Sequence, residues 1–339
     1  MKKKNALMLF LFLLVFRAGV FSQDIHFSQF LMSPLYLNPA ETGFFNGEFR
    51  FTGNNRSQWR SITVPYRTFA ASFDWNSKQN IVKVGQLGFG LQFMNDVAGD
   101  GNFTTTLIRF SSAWQYPFNN DQSMLSAGLN VNYNQHTLDF SKLYFGSQYN
   151  GFYFDPQLST QENYTVNSFK YPDFSFGVAL SHKFSNGIPV SGGLSLNHMN
   201  RPQQTFFSEN TNLLAMKFNF YLKSDIALKE NVDVIPSVAV FNQGTHREIY
   251  YGGLFRFETV YSSVRNIYFG GWLRHGDAGI VKIGFDYQNV NVGFSYDFNF
   301  STLRVASNGL GGAEIGVIYI FNTPSHIPIP SKKTCPVFL

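Results

Sequence analysis

The sequence predicts an all-β fold, a transmembrane antiparallel β-barrel of about 14 strands with an irregular N-terminal segment and a Pro-rich C-terminal tail. Charged residues make up only 14% of the chain and aromatic residues 18%, whereas typical globular domains have about 25% charged residues. Large apolar residues alternate with small or polar ones in many short runs. After the amino terminus, no run is long and apolar enough to predict a transmembrane helix.

The amino terminus has the pattern of a Sec signal peptide over residues 1–22. Three lysines precede an almost wholly apolar run at 6–16, and Val20 and Ser22 occupy the −3 and −1 positions of a cut before Gln23. A membrane anchor is the alternative, but this run is shorter than the ~20 residues that a spanning helix needs. The sequence therefore predicts export of a mature chain that begins at Gln23.

The basic character of the chain belongs mostly to this predicted signal peptide. The full chain carries a net charge of +5, and the four positive side chains of residues 1–22 account for all but +1 of it. Net charge therefore gives no support to a nucleic-acid partner, and we predict none. Cys335 is the single cysteine, so the chain has no intramolecular disulfide framework.

Alternation with a period of two predicts the strands. In 87–93, for example, odd positions are large and apolar and even positions are small or polar. This period fits both a secreted β-sandwich and a membrane barrel. Run lengths near the ~9–11 residues that cross a bilayer with tilt, and an even count, favour the barrel. The predicted strands are 46–56, 66–75, 85–95, 103–116, 122–135, 172–184, 190–199, 213–224, 231–242, 247–257, 264–274, 277–287, 289–299 and 311–321.

Loop lengths predict the direction of the barrel. The long connection 136–171 follows the fifth predicted strand, which places it outside the cell if the first strand rises from the periplasm. The predicted organisation is then an irregular periplasmic or plug segment at 23–45, the outer-membrane barrel at 46–322, and a periplasmic tail at 323–339. Both tails are predicted to lie in the periplasm.

Two groups of side chains have alternative interpretations. Aromatic residues near run ends form either interfacial girdles or ordinary strand positions: Trp59, Trp75, Trp114, Tyr116, Tyr221, Trp272 and Tyr319. Charged residues predicted to face the lumen form either a selective pore or a closed, cross-linked lumen, and their mixed signs favour the second: Arg50, Asp74, Arg109, Lys183, Lys217, Asp233, Lys282, Asp286 and Glu314.

Motifs at both ends of the chain resemble the PorP/SprF outer-membrane proteins. The resemblance spans the mature chain in order, with specific terminal blocks and a generic middle. His26 departs from the family, where Pro or Ala is often expected. The matching residues are 23–30 (QDIHFSQF), 34–40 (PLYLNPA), Gly43, 55–59 (NRSQW), 71–74 (ASFD), 295–299 (SYDFN), Leu303, Arg304, 312–315 (GAEI) and 335–338 (CPVF).

This resemblance implies a role in the type IX secretion system of Bacteroidota. It implies an outer-membrane barrel linked to secretion or surface attachment of cargo with a C-terminal targeting domain, often adhesins used in gliding motility. It also implies partners in the secretion machinery of the periplasm and outer membrane, together with the lipid bilayer. A general porin or solute transporter is the alternative.

Motifs for catalysis are absent from the sequence, and the prediction is a protein that is not an enzyme. There is no CxxC, HExxH or Walker-type loop. The seven histidines are scattered. Five of them lie at or near predicted strand ends, where solvated surface histidines are the ordinary interpretation: His136, His182, His198, His246 and His275. We therefore predict no catalytic, cofactor-binding or metal-binding residues and no cofactor.

Two regions are candidate partner-binding sites. In the long connection, aromatic residues stand among Asn and Gln in a composition typical of protein-recognition surfaces, although a self-packed loop is an equal alternative. In the tail, an unpaired thiol near an aromatic residue suggests docking or an intermolecular disulfide. The predicted partner-binding residues are Gly146, Tyr149, Tyr153, Phe154, Cys335 and Phe338.

Overall fold

The computed structural model describes most of the chain between residues 24 and 323. The predicted signal peptide and the end of the tail, with Cys335 and Phe338, lie outside the described residues. The described residues are 24–60, 64–78, 82–120, 122–162, 166–206, 212–260, 263–302 and 304–323.

The described residues form fifteen strands of one antiparallel sheet. They are β1 Phe49–Gln58, β2 Tyr66–Asn76, β3 Gln86–Ala98, β4 Phe103–Phe118, β5 Ser123–Thr137, β6 Ser168–Lys183, β7 Pro189–Asn197, β8 Lys217–Ser224, β9 Ile226–Lys229, β10 Val232–Gln243, β11 His246–Glu258, β12 Val264–Arg274, β13 Ala278–Tyr287, β14 Val290–Asn299 and β15 Leu310–Phe321. Short helical turns occur at Phe30–Met32, Pro34–Leu37, Pro39–Glu41, Phe140–Lys142, Gly146–Gln148 and Arg304–Ser307.

The sheet closes into a barrel. β1 pairs with β2 and also with β15, from Phe49 opposite Phe321 to Gln58 opposite Gly312, and β10 pairs with β11. β9 continues β8 after a break at Asp225, and both pair with β10. The closed structure therefore has 14 barrel strands, which confirms the predicted fold class.

Several strands extend beyond their predicted bounds, and two of these extensions shorten the long connection. β5 continues to Thr137 and β6 begins at Ser168, because their ladder runs without a break past Pro172 to the pair Thr137–Ser168. The long connection is thus 138–167 and not 136–171.

Side chains on the two faces of each strand differ as a membrane barrel requires. On β3, Leu91 and Phe93 are 54% and 42% exposed on the outer face, and Gln92 between them is 1% exposed inside. On β5, Leu129 is exposed and Asn130 is buried in the same way. Apolar side chains outside and polar side chains inside reverse the arrangement of a soluble sandwich. No helix in the described ranges is long and apolar enough to cross a membrane.

The two ends of the barrel are distinct. We call the end with the start of β1 and the end of β15 the tail end, and the opposite end the loop end. The two longest connections, 138–167 and 198–216, both lie at the loop end.

The aromatic positions divide between the two faces. Trp114, Tyr116 and Tyr319 are substantially exposed outside, as expected for a girdle. Tyr221 and Trp272 are 1% and 3% exposed, so the girdle interpretation is wrong for them. Both face the lumen because each lies an even number of residues from buried positions on its own strand, β8 or β12.

Candidate functional site

An extended N-terminal segment passes through the barrel lumen from one end to the other. We call residues 24–45 the plug. At the loop end, the Asp24 backbone N–H donates to Gln243 Oε1 at 3.0 Å. At the tail end, the Gly43 N–H donates to Asp74 Oδ2 at 2.8 Å. Residue 24 and the start of β1 therefore lie at opposite ends of the barrel, because the plug crosses its full height before β1 begins.

Apolar side chains of the plug pack against one side of the lumen. Phe30 lies 5.6 Å from the rings of both Tyr250 and Trp272, in edge-to-face contacts. Leu37 belongs to the same buried cluster, which also includes Tyr221. These contacts explain why large aromatic residues of the barrel wall face inward: they pack against the plug instead of lipid.

Glycines of the wall allow the plug backbone to approach closely. A Cβ atom on Gly128 would lie 2.4 Å from Pro39 O, and one on Gly88 would lie 2.2 Å from Thr42 O. Neither position leaves room for a side chain while the plug is seated. The structure thus accounts for the alternating glycines of β3, which face a crowded lumen.

A buried carboxylate pair on β14 and β15 binds the beginning of the plug. Glu314 accepts the backbone N–H groups of Ser28 and Gln29 at 2.8 and 3.1 Å. The Ser28 hydroxyl donates to Asp297 Oδ2 at 2.7 Å. Arg56 lies 3.0 Å from Asp297 and 3.7 Å from Glu314, and it also donates to His26 O. Arg274 lies 3.3 Å from Asp297 and supplies a second positive charge. The plug adds hydrogen bonds to both carboxylates, from backbone N–H groups to Glu314 and from the Ser28 hydroxyl to Asp297.

A second ion pair holds the plug at the tail end. The Arg50 guanidinium donates to both oxygens of Asp74 at 3.0 and 2.7 Å, and to Glu41 O at 2.7 Å. Asp74 also accepts the Gly43 N–H. The pair therefore binds plug backbone on both its cationic and its anionic side.

Arg109 binds the middle of the plug without a carboxylate within ion-pair distance among the described residues. It donates to Leu35 O at 2.8 Å, to Gln92 Oε1 at 3.0 Å and to Asn132 Oδ1 at 2.8 Å. Of the charges predicted to face the lumen, Arg50, Asp74 and Arg109 are thus used inside a filled lumen.

A charged cluster holds the start of the plug at the loop end. His198 Nε2 lies 2.7 Å from Asp24 Oδ2, and His198 Nδ1 lies 2.8 Å from Asp173 Oδ2. Lys217 Nζ lies 3.5 Å from Asp24. The surface interpretation of His198 is wrong, since its side chain is 11% exposed and binds two carboxylates inside the barrel.

Two members of this cluster, Asp24 and His198, lie outside the strands, and their neighbours shift the pKa of each. Burial lowers the pKa of His198, but Asp24 and Asp173 outweigh burial and raise it to about 9. Burial raises the pKa of Asp24, but His198 and Lys217 outweigh burial and hold it far below its ordinary value. Both groups are therefore charged at neutral pH.

A cavity of about 510 Å³ opens at the loop end beside the plug. Plug residues Asp24, Ile25, His26 and Tyr36 form its floor. Its walls come from β1 to β8 and the connection 198–216. Wall residues include Gln58, Trp59, Tyr66, Thr68, Asp96, Phe103, Thr105, Asn134, His136, Phe169, Tyr171, Phe206, Asn212 and Lys217.

Stacked rings form one wall of this cavity. The His136 ring lies 5.6 Å from Phe103, 4.9 Å from Phe169 and 5.6 Å from Tyr171, all nearly parallel. Phe206 meets Phe169 edge to face at 4.7 Å. His136 is 8% exposed, so its interpretation as a solvated surface residue is also wrong.

The long connection at the loop end carries the predicted partner-binding residues. Tyr149 and Phe154 form a β-bridge, and Gly146 begins a helical turn with open space around it. The Tyr153 carbonyl accepts the Asn150 N–H at 3.2 Å. The structure therefore brings these four predicted residues into one folded loop.

The tip of this loop presents aromatic rings to solvent. Phe152 is 91% exposed, Tyr144 79%, Tyr153 63% and Tyr149 56%. Phe154 is less exposed because Tyr144 packs on it edge to face at 4.9 Å. The loop is thus partly self-packed and still leaves an exposed aromatic surface, which we call the aromatic tip (Tyr144, Tyr149, Phe152, Tyr153).

The remaining predicted site residues, Cys335 and Phe338, lie outside the described residues. Within the part of the chain that the structure describes, no group of three or more His, Cys, Asp or Glu side chains is arranged to hold a metal ion.

The fold and the filled lumen define the class: a membrane β-barrel of the outer-membrane type whose own N-terminal segment occupies its lumen. The family model for "Type IX secretion system membrane protein PorP/SprF" matches residues 19–319. The chain therefore belongs to the PorP/SprF family of type IX secretion membrane proteins. A search of curated proteins finds no match.

Solved barrels show distant similarity. The toluene transporter TbuX of Ralstonia pickettii is 8% identical with a TM-score of 0.49, over 86% of this chain and 94% of that one. The translocator domain of the autotransporter NalP from Neisseria meningitidis is 11% identical with a TM-score of 0.44, over 86% and 95%. CdiB from Escherichia coli is 11% identical with a TM-score of 0.44, over 79% and 63%. Similarity at this level says nothing about what this chain binds.

Sequence reasoning placed five of the charged residues that bind the plug in the lumen, namely Arg50, Asp74, Arg109, Lys217 and Glu314. It missed Arg56, Asp297 and His198, although several plug contacts stand in the motif blocks. Ser28 and Arg56 belong to the first blocks, and Asp297 and Glu314 to the last ones. The sequence feature that indicates such a residue is a charged side chain at one of the positions that alternate with the large apolar residues of a strand. The contacts themselves were not predictable, because they join residues more than 200 positions apart.

Filling the space of a wall glycine should unseat the plug. The probe is Ser33→Cys in a Cys335→Ser background, which leaves one cysteine, in the plug. We expect the additional change Gly128→Val to expose this cysteine to a membrane-impermeant maleimide. Overpacking costs about 1–3 kcal/mol, which corresponds to about a 5- to 150-fold increase in labelling rate. Bilayer conductance should rise in the same variant. Gly53→Val is the matched control, since only Phe51 lies within 4 Å of its Cβ position. Equal labelling in both variants would contradict a seated plug.

The loop-end cluster should release Asp24 at high pH. His198 has a raised pKa, so its contribution is complete below its ordinary value of 6.5 and is lost as pH rises through about 9. Asp24 has a lowered pKa, so its contribution is present above its ordinary value of 3.8 and is lost in acid. A nitroxide at Ile25→Cys should gain mobility between pH 8 and 10, measured by EPR (approximate limits set by that value). His198→Gln should abolish this step, and a step that persists there would assign it to another group.

Proposed function

We propose that this protein binds secreted cargo at the outer membrane and helps to secrete or anchor it at the cell surface. The cargo is a protein with a C-terminal targeting domain, such as an adhesin used in gliding motility. Family membership supports a place in type IX secretion. The observation that carries the cargo-binding role is the aromatic tip, which stands exposed on the longest connection of the barrel.

The proposed orientation follows from the loop lengths. Both long connections share the loop end, so we place that end outside the cell and the tail end in the periplasm. In this orientation the plug, residues 24–45, has its first residue near the cell surface. Residues 1–22 act as the signal peptide, and residues 323–339 extend into the periplasm.

Aromatic side chains on an ordered loop suit protein recognition. Tyrosine and other aromatic residues are enriched at interfaces and among their energetic hot spots. The loop base is anchored by hydrogen bonds from Leu138 N to Asn167 O at 2.9 Å and from Asp139 N to Gly101 O at 2.9 Å. Nearer the tip, Asp155 N donates to Gln148 O at 2.8 Å. A pre-organised surface loses less conformational entropy on binding than a mobile one.

The filled lumen favours this binding role over the alternative of a general porin or solute transporter. The plug is hydrogen-bonded at both ends and in the middle, for example through Asp24, Leu35 and Gly43. A conducting pore would require these bonds to break. The proposed role is binding and assembly, and none of its steps is catalytic.

We also propose that the tail binds the periplasmic machinery. The barrel ends at Phe321 at the tail end, which directs the following residues to the periplasm in the proposed orientation. Cys335 and Phe338 then offer a thiol and an aromatic ring for docking.

Removing the aromatic tip should abolish cargo display. We expect replacement of 144–158 by a short Gly–Ser linker to leave membrane insertion intact and to remove adhesin from the cell surface. The double variant Phe152→Ala, Tyr153→Ala should weaken cargo binding by about 2 kcal/mol or more, as for interface hot spots. Phe184→Ala is the matched control, an exposed aromatic at the tail end. Surface immunolabelling is the measurement, and normal display without the tip would refute the cargo-loop role.

Changes in the tail should disconnect the barrel from the machinery and spare the fold. We expect Phe338→Ala, and Cys335→Ser if the contact is a disulfide, to reduce recovery of periplasmic secretion components with the affinity-purified barrel. Lys332→Ala is the control within the same tail. Unchanged recovery after deletion of 324–339 would rule out this docking role.

A further inference from the structure

One carboxylate in the loop-end cavity has no ion-pair partner within 4.0 Å among the described residues. Asp96 lies on β3 and lines the cavity. Its Oδ1 accepts a hydrogen bond from Thr68 Oγ1 at 2.6 Å. Among the described residues, no Lys, Arg or His nitrogen lies within 4.0 Å of its oxygens.

The other charged groups of the cavity are already engaged. Asp24 lies within ion-pair distance of His198 and Lys217. Arg109 is 4% exposed and donates to three oxygens, so its guanidinium is sealed in the wall. Among the described residues that line the cavity, Asp96 is thus the carboxylate that no Lys, Arg or His side chain pairs with.

Strand register places aromatic rings on both sides of Asp96. It lies opposite Thr68 on β2 and Thr105 on β4. Tyr66 and Phe103 stand two residues closer to the loop end on those same strands, as the diagonal neighbours of Asp96. Such neighbours have backbone separations of about 7–8 Å, within reach of aromatic side chains.

Two more aromatic rings of the cavity contact Tyr66 and Phe103. The Trp59 ring meets Tyr66 edge to face at 4.7 Å, and Phe206 meets Phe103 edge to face at 6.3 Å. A carboxylate with aromatic rings beside it attracts an organic cation, because a cation is drawn both to the negative charge and to the faces of the rings. A planar guanidinium fits such a site well, since it binds a carboxylate through two hydrogen bonds and stacks on rings.

We propose that the cavity binds a basic side chain, arginine foremost, of a polypeptide that enters at the loop end. Its guanidinium binds Asp96 between Tyr66 and Phe103. The cavity volume of about 510 Å³ accommodates such a side chain with adjoining backbone, and the amide side chains of Gln58 and Asn212 line it as partners for peptide groups. The polypeptide source rests on the proposed function, because the cavity shares its end of the barrel with the aromatic tip.

Capped peptides can test this site on the purified full-length protein in nanodiscs. The probes are acetyl-Gly-Gly-Arg-Gly-Gly-amide, the same peptide with neutral citrulline, and ethylguanidinium, with affinity measured by calorimetry. We expect the arginine peptide to bind more tightly than the other two. Asp96→Asn should weaken the arginine peptide about tenfold or more, which equals about 1.4 kcal/mol, and should leave citrulline binding unchanged.

Control variants keep the test decisive. Asp100→Asn removes an exposed acid from the turn after β3 and should change nothing. Tyr66→Leu and Phe103→Leu should each weaken binding of the arginine peptide severalfold. Because both variants keep Asp96, they also test the site if Asp96→Asn does not fold. Equal affinity for arginine and citrulline peptides, or no effect of Asp96→Asn, would overturn the site.

The outcomes also separate this inference from the proposed function. Ethylguanidinium binding as tightly as the peptide would overturn the polypeptide part of the inference. No peptide binding together with lost display in the aromatic-tip variant would refute the cavity site and leave cargo binding standing. Peptide binding together with normal display in that variant would support the cavity site and refute cargo binding by the aromatic tip.

Discussion

In the lipid core, backbone hydrogen-bond groups must be paired within the protein, and the β1–β15 seam meets this requirement for the barrel. The seam also determines where the N-terminal segment lies. Because the plug leads directly into β1, closing that strand against β15 encloses the preceding residues. A polar lumen follows from the same closure, since alternation sends one face of each strand to lipid and the other inward.

In the lumen, ion pairs and hydrogen bonds offset the cost of burying charged side chains. Arg56 and the carboxylates of Asp297 and Glu314 would be costly inside a protein without close partners. They compensate one another, and the backbone of Ser28 and Gln29 adds hydrogen bonds that a side-chain network alone would lack. Plug and wall therefore stabilise each other, and the motif blocks from opposite ends of the chain meet at this point.

The plug also shapes the mouth of the barrel. Asp24 is held by His198 and Lys217, and the neighbouring plug residues form the floor of the loop-end cavity. Release of this end would change the cavity as well as the lumen. The aromatic tip and Asp96 both lie at the loop end, and in the proposed orientation a protein outside the cell would contact both.

The sequence by itself determined the strands, the outward apolar face and the position of the longest loop, because a period of two and run length are local properties. The predicted strand 213–224 corresponds to β8, although the break at Asp225 was not predictable. Only the tertiary structure decided that Tyr221 faces a plug, that Asp24 lies at the loop end and that Asp96 lines a cavity. These placements depend on barrel closure, which brings together side chains far apart along the chain, and local patterns carry no information about such pairs.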